Sequence, residues 1–169
     1  ELNKFDISWL RRQISYLPQE VELFNLSIKD NILINLSETQ LKQTNDRILL
    51  KTISSVGLNE YINKIPDGIN QMVENNGKNL PVGIKKRIGI ARAIINNGKF
   101  IIFDEPSDSL DNKGVFDLYK ILNNFIKLKK TLIIASHDSN ILKSANIVID
   151  LSTKPIPRIG IRKKKKVNA

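Results

Sequence analysis

The sequence predicts an α/β protein: a parallel sheet with helical crossovers, interrupted in its first half by a mostly helical stretch. Three observations predict it. The runs Phe100-Ile101-Ile102-Phe103 and Thr131–Ala135 have the length and apolar character of buried strands. Apolar residues at helical spacing separate them, so strand and helix alternate, which argues a parallel sheet with right-handed crossovers. Each run also ends in polar side chains, Asp104-Glu105 and Ser136-His137-Asp138, as strands do when they deliver residues to a site at their C-terminal ends.

The elements follow in order. Ile14–Leu17 reads as a short strand ended by Pro18 and followed by Gln19. Ser27-Ile28-Lys29-Asp30 is a capped helix start, with Asp30 near the positive end of the helix dipole. Residues 44–56 read as a helix with Leu49, Ile53 and Val56 on one face and Gly57 as its stop. Pro66-Asp67-Gly68 marks a turn. Ile84, Ile88, Ala91 and Ile95 repeat at helical spacing, and Gly98 is expected to close that helix. Val115, Leu118, Tyr119, Leu122, Phe125 and Ile126 form the next apolar face, on a helix of roughly four turns. A short helix at 140–144 and a last strand at 147–151 complete the alternation.

Composition bounds the function. A chain of 169 residues fits one domain with a real core. No apolar run approaches the roughly 18 residues of a membrane span, and no signal peptide opens the chain. The absence of cysteine excludes a disulfide scaffold and a thiolate metal site. The chain starts at Glu1 with Met72 its only methionine, and is expected to be a piece of a longer product. Of the net charge of +10, seven positive charges fall in residues 151–169, which hold no acid. Residues 152–169 are therefore read as a basic, disordered tail, and no specific nucleic-acid partner is expected.

The adjacent carboxylates Asp104 and Glu105 carry the strongest chemical signal. A carboxylate at a buried strand end suits Mg²⁺, a hard cation that takes carboxylate, water and phosphate oxygens, and a second can act as general base toward water. The bland alternative is a polar turn after a strand. Further landmarks fall in a fixed order around the pair: Leu17-Pro18-Gln19, then Leu80-Pro81-Val82-Gly83-Ile84-Lys85-Lys86-Arg87, then Asp104-Glu105, Ser107-Asp108-Ser109-Leu110-Asp111, and the sole histidine, His137.

In that order they resemble the nucleotide-binding domain of ATP-binding cassette (ABC) transporters, over roughly residues 6–150. The resemblance implies a P-loop NTPase-like parallel sheet core with an inserted α-helical subdomain at about 20–90. The N-terminal part of the core would be missing, and the partial domain would span 1–151. It makes Gln19 the Q-loop glutamine, Asp104-Glu105 the end of Walker B, 107–111 the D-loop and His137 the switch histidine. Residues 80–84 take the place of the LSGGQ signature. It implies ATP and Mg²⁺ as cofactors, with Asp104 and Gln19 toward the metal. Glu105 would orient and deprotonate the attacking water, and His137 would contact the γ-phosphate. Gly83 and Asp111 would face the opposite subunit of a head-to-tail dimer. Asp111 could equally be a helix N-cap.

The segment Met72-Val73-Glu74-Asn75-Asn76-Gly77 resembles the x-loop of exporters, which faces the membrane domain. The implied partners are transmembrane domains and a second nucleotide-binding domain. The implied location is the cytoplasmic face of the inner membrane, and the implied function is ATP-driven export, of protein or peptide as in type I secretion. A soluble non-transport ABC ATPase and a degenerate, non-hydrolysing regulatory cassette are the alternatives.

The pattern breaks in two places. No Gly-x-x-x-x-Gly-Lys-Ser/Thr occurs; that phosphate-cradling loop is expected ahead of Glu1, together with a central strand of the sheet. The signature is also degenerate: the family's serine aligns with Pro81, its first glycine with Val82 and its glutamine with Ile84. Proline offers neither hydroxyl nor N–H.

Overall fold

The computed structural model describes residues 5–152 and 155–161. Its elements in chain order are α1 (Ile7–Gln13), β1 (Ile14–Leu17), α2 (Ile28–Leu33), α3 (Glu38–Gln43), α4 (Asp46–Ser55), α5 (Asn59–Ile62), α6 (Val82–Asn96), β2 (Phe100–Asp104), α7 (Asn112–Lys127), β3 (Thr131–Ala135), α8 (Ser139–Ser144), β4 (Ile147–Asp150) and β5 (Arg158–Ile161). They fall in two compact units, Glu1–Ala135 and Ser136–Ala169.

The first unit is a mixed α/β body on a parallel sheet of order β1-β2-β3. Leu17 stands opposite Phe103, and Asp104 opposite Ala135, so all three strands end at one edge. One face of the sheet is covered. Leu17, Ile101 and Phe103 are essentially buried there, under Ile88 and Ala91 of α6 and Leu118 and Phe125 of α7. The Phe103 and Phe125 rings meet edge to face at 6.4 Å, a favourable aromatic geometry.

The other face is not covered among the described residues. By register Tyr16, Ile102 and Ile133 lie side by side on it, and Tyr16 and Ile133 are each more than half exposed. The sequence reads β2 and β3 as buried strands; alternate residues of both are open instead. Parallel sheets are ordinarily covered on both faces; in this unit α6 and α7 cover one, while Tyr16 and Ile133 on the other stay open.

The helical reading of 20–90 has its counterpart in α2 to α5. Ser27 caps α2, its hydroxyl accepting the Asp30 N–H at 3.0 Å. Leu49, Ile53 and Val56 are buried as the α4 periodicity predicts. Gly57 follows at φ 69, the left-handed region that glycine enters without strain. The close of α6 differs from expectation. Asn97, not Gly98, takes the left-handed cap, and Gly98 is needed for packing: a Cβ there would lie 2.7 Å from the Gln13 carbonyl oxygen and the Ser15 nitrogen.

In the second unit Asp138 caps α8, accepting the Asn140 N–H at 2.8 Å. The last strand expected at 147–151 is β4, and it does not join the parallel series. It pairs antiparallel with β5. The seven-residue connection between them is too short for the crossover that parallel pairing requires. Arg158–Ile161 therefore form a strand inside the segment read as a disordered tail. Lys154 and residues 162–166 lie outside the described residues.

Between β1 and α2 the chain runs as a loop that one buried side chain organises. Asn31 is fully buried. Its Oδ1 accepts the Phe24 N–H at 2.9 Å, and its Nδ2 donates to the carbonyls of Phe24, Leu26 and Ser27. Arg92 of α6 donates to the Asn31 carbonyl at 2.8 Å, tying this hub to the long helix. Replacing Asn31 by leucine strands several buried backbone groups and is expected to cost about 1–3 kcal/mol. Urea unfolding of wild type and Asn31→Leu measures it; a midpoint unchanged within error would contradict the hub.

Candidate functional site at the strand ends

The register of β1 on β2 brings Pro18-Gln19 and Asp104-Glu105 out at one edge of the sheet. Asp104 is half-buried and, by alternation with Ile102 and Phe100, belongs to the uncovered face. At Glu105 the chain leaves the extended conformation abruptly, with φ at 38. A non-glycine residue there is uncommon, and such backbone strain clusters at functional sites. The turn is held at both ends: the Glu105 N–H donates to the Ala135 carbonyl at 3.0 Å, and the Glu105 carbonyl accepts the Asp108 N–H at 3.2 Å. Pro106 is buried behind it. The structure thus brings Gln19, Asp104 and Glu105 to one edge. Gln19 is exposed, and its carbonyl accepts a hydrogen bond from the Lys86 ammonium at 3.0 Å.

His137 is exposed in the second unit, two residues beyond the end of β3. Gly83 lies in the first turn of α6 against the 107–111 loop: a Cβ there would stand 2.9 Å from the Ser109 carbonyl oxygen. Asp111 is the N-cap of α7, accepting the Gly114 N–H at 2.9 Å. Asp111 also takes the guanidinium of Arg87, whose other arm donates to the Val56 carbonyl. Gly57 and Gly114 make room for that guanidinium: a Cβ on either would come within 2.4 Å and 2.8 Å of its nitrogens.

Two cations in this machinery escape the sequence reading. Lys86 and Arg87 stand in a run that looks like a solvated helix face, yet both are buried. Lys86 donates to the Gln19 carbonyl at 3.0 Å and reaches those of Pro18 and Asp104 at 3.5 Å. The available signal was helical: Ile84, Ile88, Ala91 and Ile95 leave Lys86 and Arg87 midway along a helix that neighbours cover nearly all round, where a charge persists only with partners.

Among the described residues no cluster of three or more His, Cys, Asp or Glu gathers as a metal cage. The donors present are hard oxygens, the Asp104 carboxylate and the Gln19 amide. That set fits Mg²⁺, which keeps several waters and uses one or two carboxylates together with phosphate.

The Asp111 carboxyl is held below the usual range chiefly by the Gly114 N–H, with burial opposing the shift and the Arg87 guanidinium adding to it. A depressed carboxylate stabilises the fold above its unfolded value, about 3.9, and that contribution is lost as pH falls through the folded value. The stability gap between wild type and Asp111→Asn is therefore expected to be widest near neutrality and to narrow below about pH 4. Urea midpoints on both sides of that value measure it; a gap independent of pH would contradict the lowered Asp111 carboxyl.

Comparison with known proteins places this arrangement. The ABC transporter family model matches residues 1–108. The chain is 32% identical to the alpha-hemolysin translocation ATP-binding protein HlyB of Escherichia coli O157:H7, over 96% of its own length and 22% of that protein's. It is 31% identical to the toxin RTX-I translocation ATP-binding protein of Actinobacillus pleuropneumoniae, over 94% and 22% of the respective lengths. It therefore spans less than a quarter of either relative. A bacterial Atm1-family ABC exporter solved with ATP bound superposes with a TM-score of 0.73 at 22% identity, covering 83% of this chain and 24% of that one, which is a likeness of fold. With more than half of its residues matched by the family model, the chain belongs to the ABC transporter family.

Proposed function

We propose that this chain is part of the ATP-binding domain of an exporter, which in the full-length protein binds and hydrolyses ATP to drive transport. The observation that carries the reading is the meeting of the Gln19 loop and the Asp104-Glu105 pair at one strand edge, with Glu105 turned by its positive φ. Asp104 and Gln19 hold Mg²⁺, which when bound neutralises phosphate charge. Glu105 orients the attacking water and takes its proton. His137 is the donor toward the γ-phosphate. Gly83 and Asp111 face a second nucleotide-binding domain.

The phosphate-binding loop belongs to a further segment of the same protein. The uncovered sheet face supports this, since Tyr16 and Ile133 leave apolar surface where a covering segment would sit. Transmembrane domains are the second partner. Phe24, Leu26 and Met72 are exposed beside the 74–77 loop. That loop is fastened to 24–28 through Val73 N–H to Leu26 carbonyl at 2.9 Å and Asn76 N–H to Asn25 Oδ1 at 2.8 Å. An exposed apolar patch next to an anchored loop is what a docking helix needs. No helix among the described residues is long and apolar enough to cross a membrane, so the spans lie in other segments or chains. The domain works at the cytoplasmic face of the inner membrane. The names of the two toxin-translocating relatives favour protein or peptide cargo.

The degenerate signature favours a second reading, a non-hydrolysing regulatory cassette. Pro81 is the N-cap of α6 and makes no side-chain cap bond, and Val82 is 59% exposed at the first position. In the full-length protein Glu105→Gln is expected to lower ATP turnover by about 10²-fold or more while nucleotide remains bound. Pro81→Ser with Val82→Gly is expected to raise turnover by about 10²-fold where a second copy supplies the opposite signature. Steady-state ATPase and nucleotide-binding assays read both. A Glu105→Gln protein as active as wild type removes the hydrolytic role, and a protein that binds ATP without turnover before and after the signature repair establishes the regulatory reading.

A further inference from the structure

Lys86 sits in the second turn of α6 with 3% of its surface exposed. An ammonium so buried has lost its water and must be met by oxygen. It has three N–H donors and no acceptor, and three carbonyl oxygens surround it: Gln19 at 3.0 Å, Pro18 at 3.5 Å and Asp104 at 3.5 Å. Two of these belong to the chain leaving β1 and the third to the last residue of β2. The paired register of those strands ends at Leu17 and Phe103. Beyond that point the ammonium spans from one chain to the other. Burial draws the lysine's pKa down, while the charges of Asp108, Asp104 and Glu105 hold it up.

We propose that Lys86 is a positioning residue for hydrolysis: its ammonium clamps Pro18 and Gln19 to Asp104 and so sets the distance between Gln19 and the Asp104-Glu105 pair. The inference rests on the ATPase reading above and adds to it a residue that touches neither nucleotide nor metal. The clamp grips backbone, so it acts whatever the side chains of Gln19 and Asp104 bind. It requires N–H donors at position 86 more than it requires charge. Methionine keeps the length and apolar stem of lysine without a donor, and glutamine keeps donors without the charge.

The test uses Lys86→Met and Lys86→Gln in the full-length protein. Misplacing a reacting group by about 1 Å can cost roughly 10²-fold. Lys86→Met is therefore expected to lower kcat at least about tenfold, with KM for ATP changed far less, and Lys86→Gln to recover most of that loss. Hydrogen exchange in the nucleotide-free protein gives a readout that does not depend on activity. Amides at 19–21 and 105–108 should exchange faster in Lys86→Met than in wild type, with those of 147–150 unchanged. Wild-type kcat in Lys86→Met, or a folded Lys86→Gln as slow as Lys86→Met, overturns the clamp, as does unchanged exchange in both segments. If Lys86→Met fails to fold, as a thermal melt would show, Lys86→Gln carries the test alone: kcat within about threefold of wild type supports the clamp, and a larger fall refutes it. A wild-type protein without ATPase activity defeats the hydrolytic reading instead, and the exchange comparison still decides whether Lys86 joins the two chains.

Discussion

Taking an ammonium and a guanidinium out of water at adjacent positions of one helix is costly unless each finds oxygen. Successive residues on a helix project about 100° apart, so Lys86 and Arg87 cannot share partners. They divide the surroundings between them. Lys86 reaches the ends of β1 and β2; Arg87 reaches Val56, behind α4, and Asp111, ahead of α7. Both are rooted in α6, whose first turn packs Gly83 against Ser109. The loop after β1, the acid pair, the 107–111 loop and the helix start are thereby fastened to one rod. A displacement at any of these four has a short, well-packed path to the other three.

One face of the parallel sheet stays open among the described residues, with Tyr16 and Ile133 more than half exposed. A three-stranded parallel sheet with helices on one side cannot bury both faces. Tyr16, Phe100 and Ile133 remain substantially exposed although they sit in strands. In the second unit the β4–β5 ladder repeats the pattern: Ile147 stands opposite Ile161, and Ile149 opposite Ile159, all more than half exposed. An isolated two-stranded ladder is marginal in water. Both units thus present exposed apolar strand surface.

Much of the fold was legible because it rests on periodicity and punctuation. The apolar run of β2, the Leu49, Ile53 and Val56 spacing of α4 and the Ser27 cap are local signals, and the structure follows each of them. What failed was non-local. Nothing in 147–151 says which strand it pairs with; the short connection to Arg158–Ile161 decides that, and the later strand was hidden in a basic segment. Burial was misjudged on one sheet face, because an apolar strand reads alike whether one of its faces or both are covered. At the site, the acid pair and Gln19 were readable as motif residues. Glu105's positive φ and the buried lysine were not, since a charged run on a helix looks alike whether it meets solvent or three carbonyls.

The signature departure has a narrower physical consequence than its sequence suggests. Proline at the N-cap removes a hydroxyl, and Val82 adds an exposed side chain that would crowd an approaching phosphate. Yet α6 begins without a side-chain cap, and Pro81 still accepts the Ile84 N–H at 2.9 Å through its carbonyl. The helix start is therefore intact, with the positive end of its dipole directed outward. Gly83 keeps its close contact with Ser109. Losing one oriented hydroxyl weakens charge stabilisation without abolishing it, whereas losing the helix start would remove the dipole, the first-turn backbone donors and the packing of the 107–111 loop together. The changes at Pro81 and Val82 thus fall on the outward surface, while the residues that fasten α6 to the acid pair lie one turn deeper.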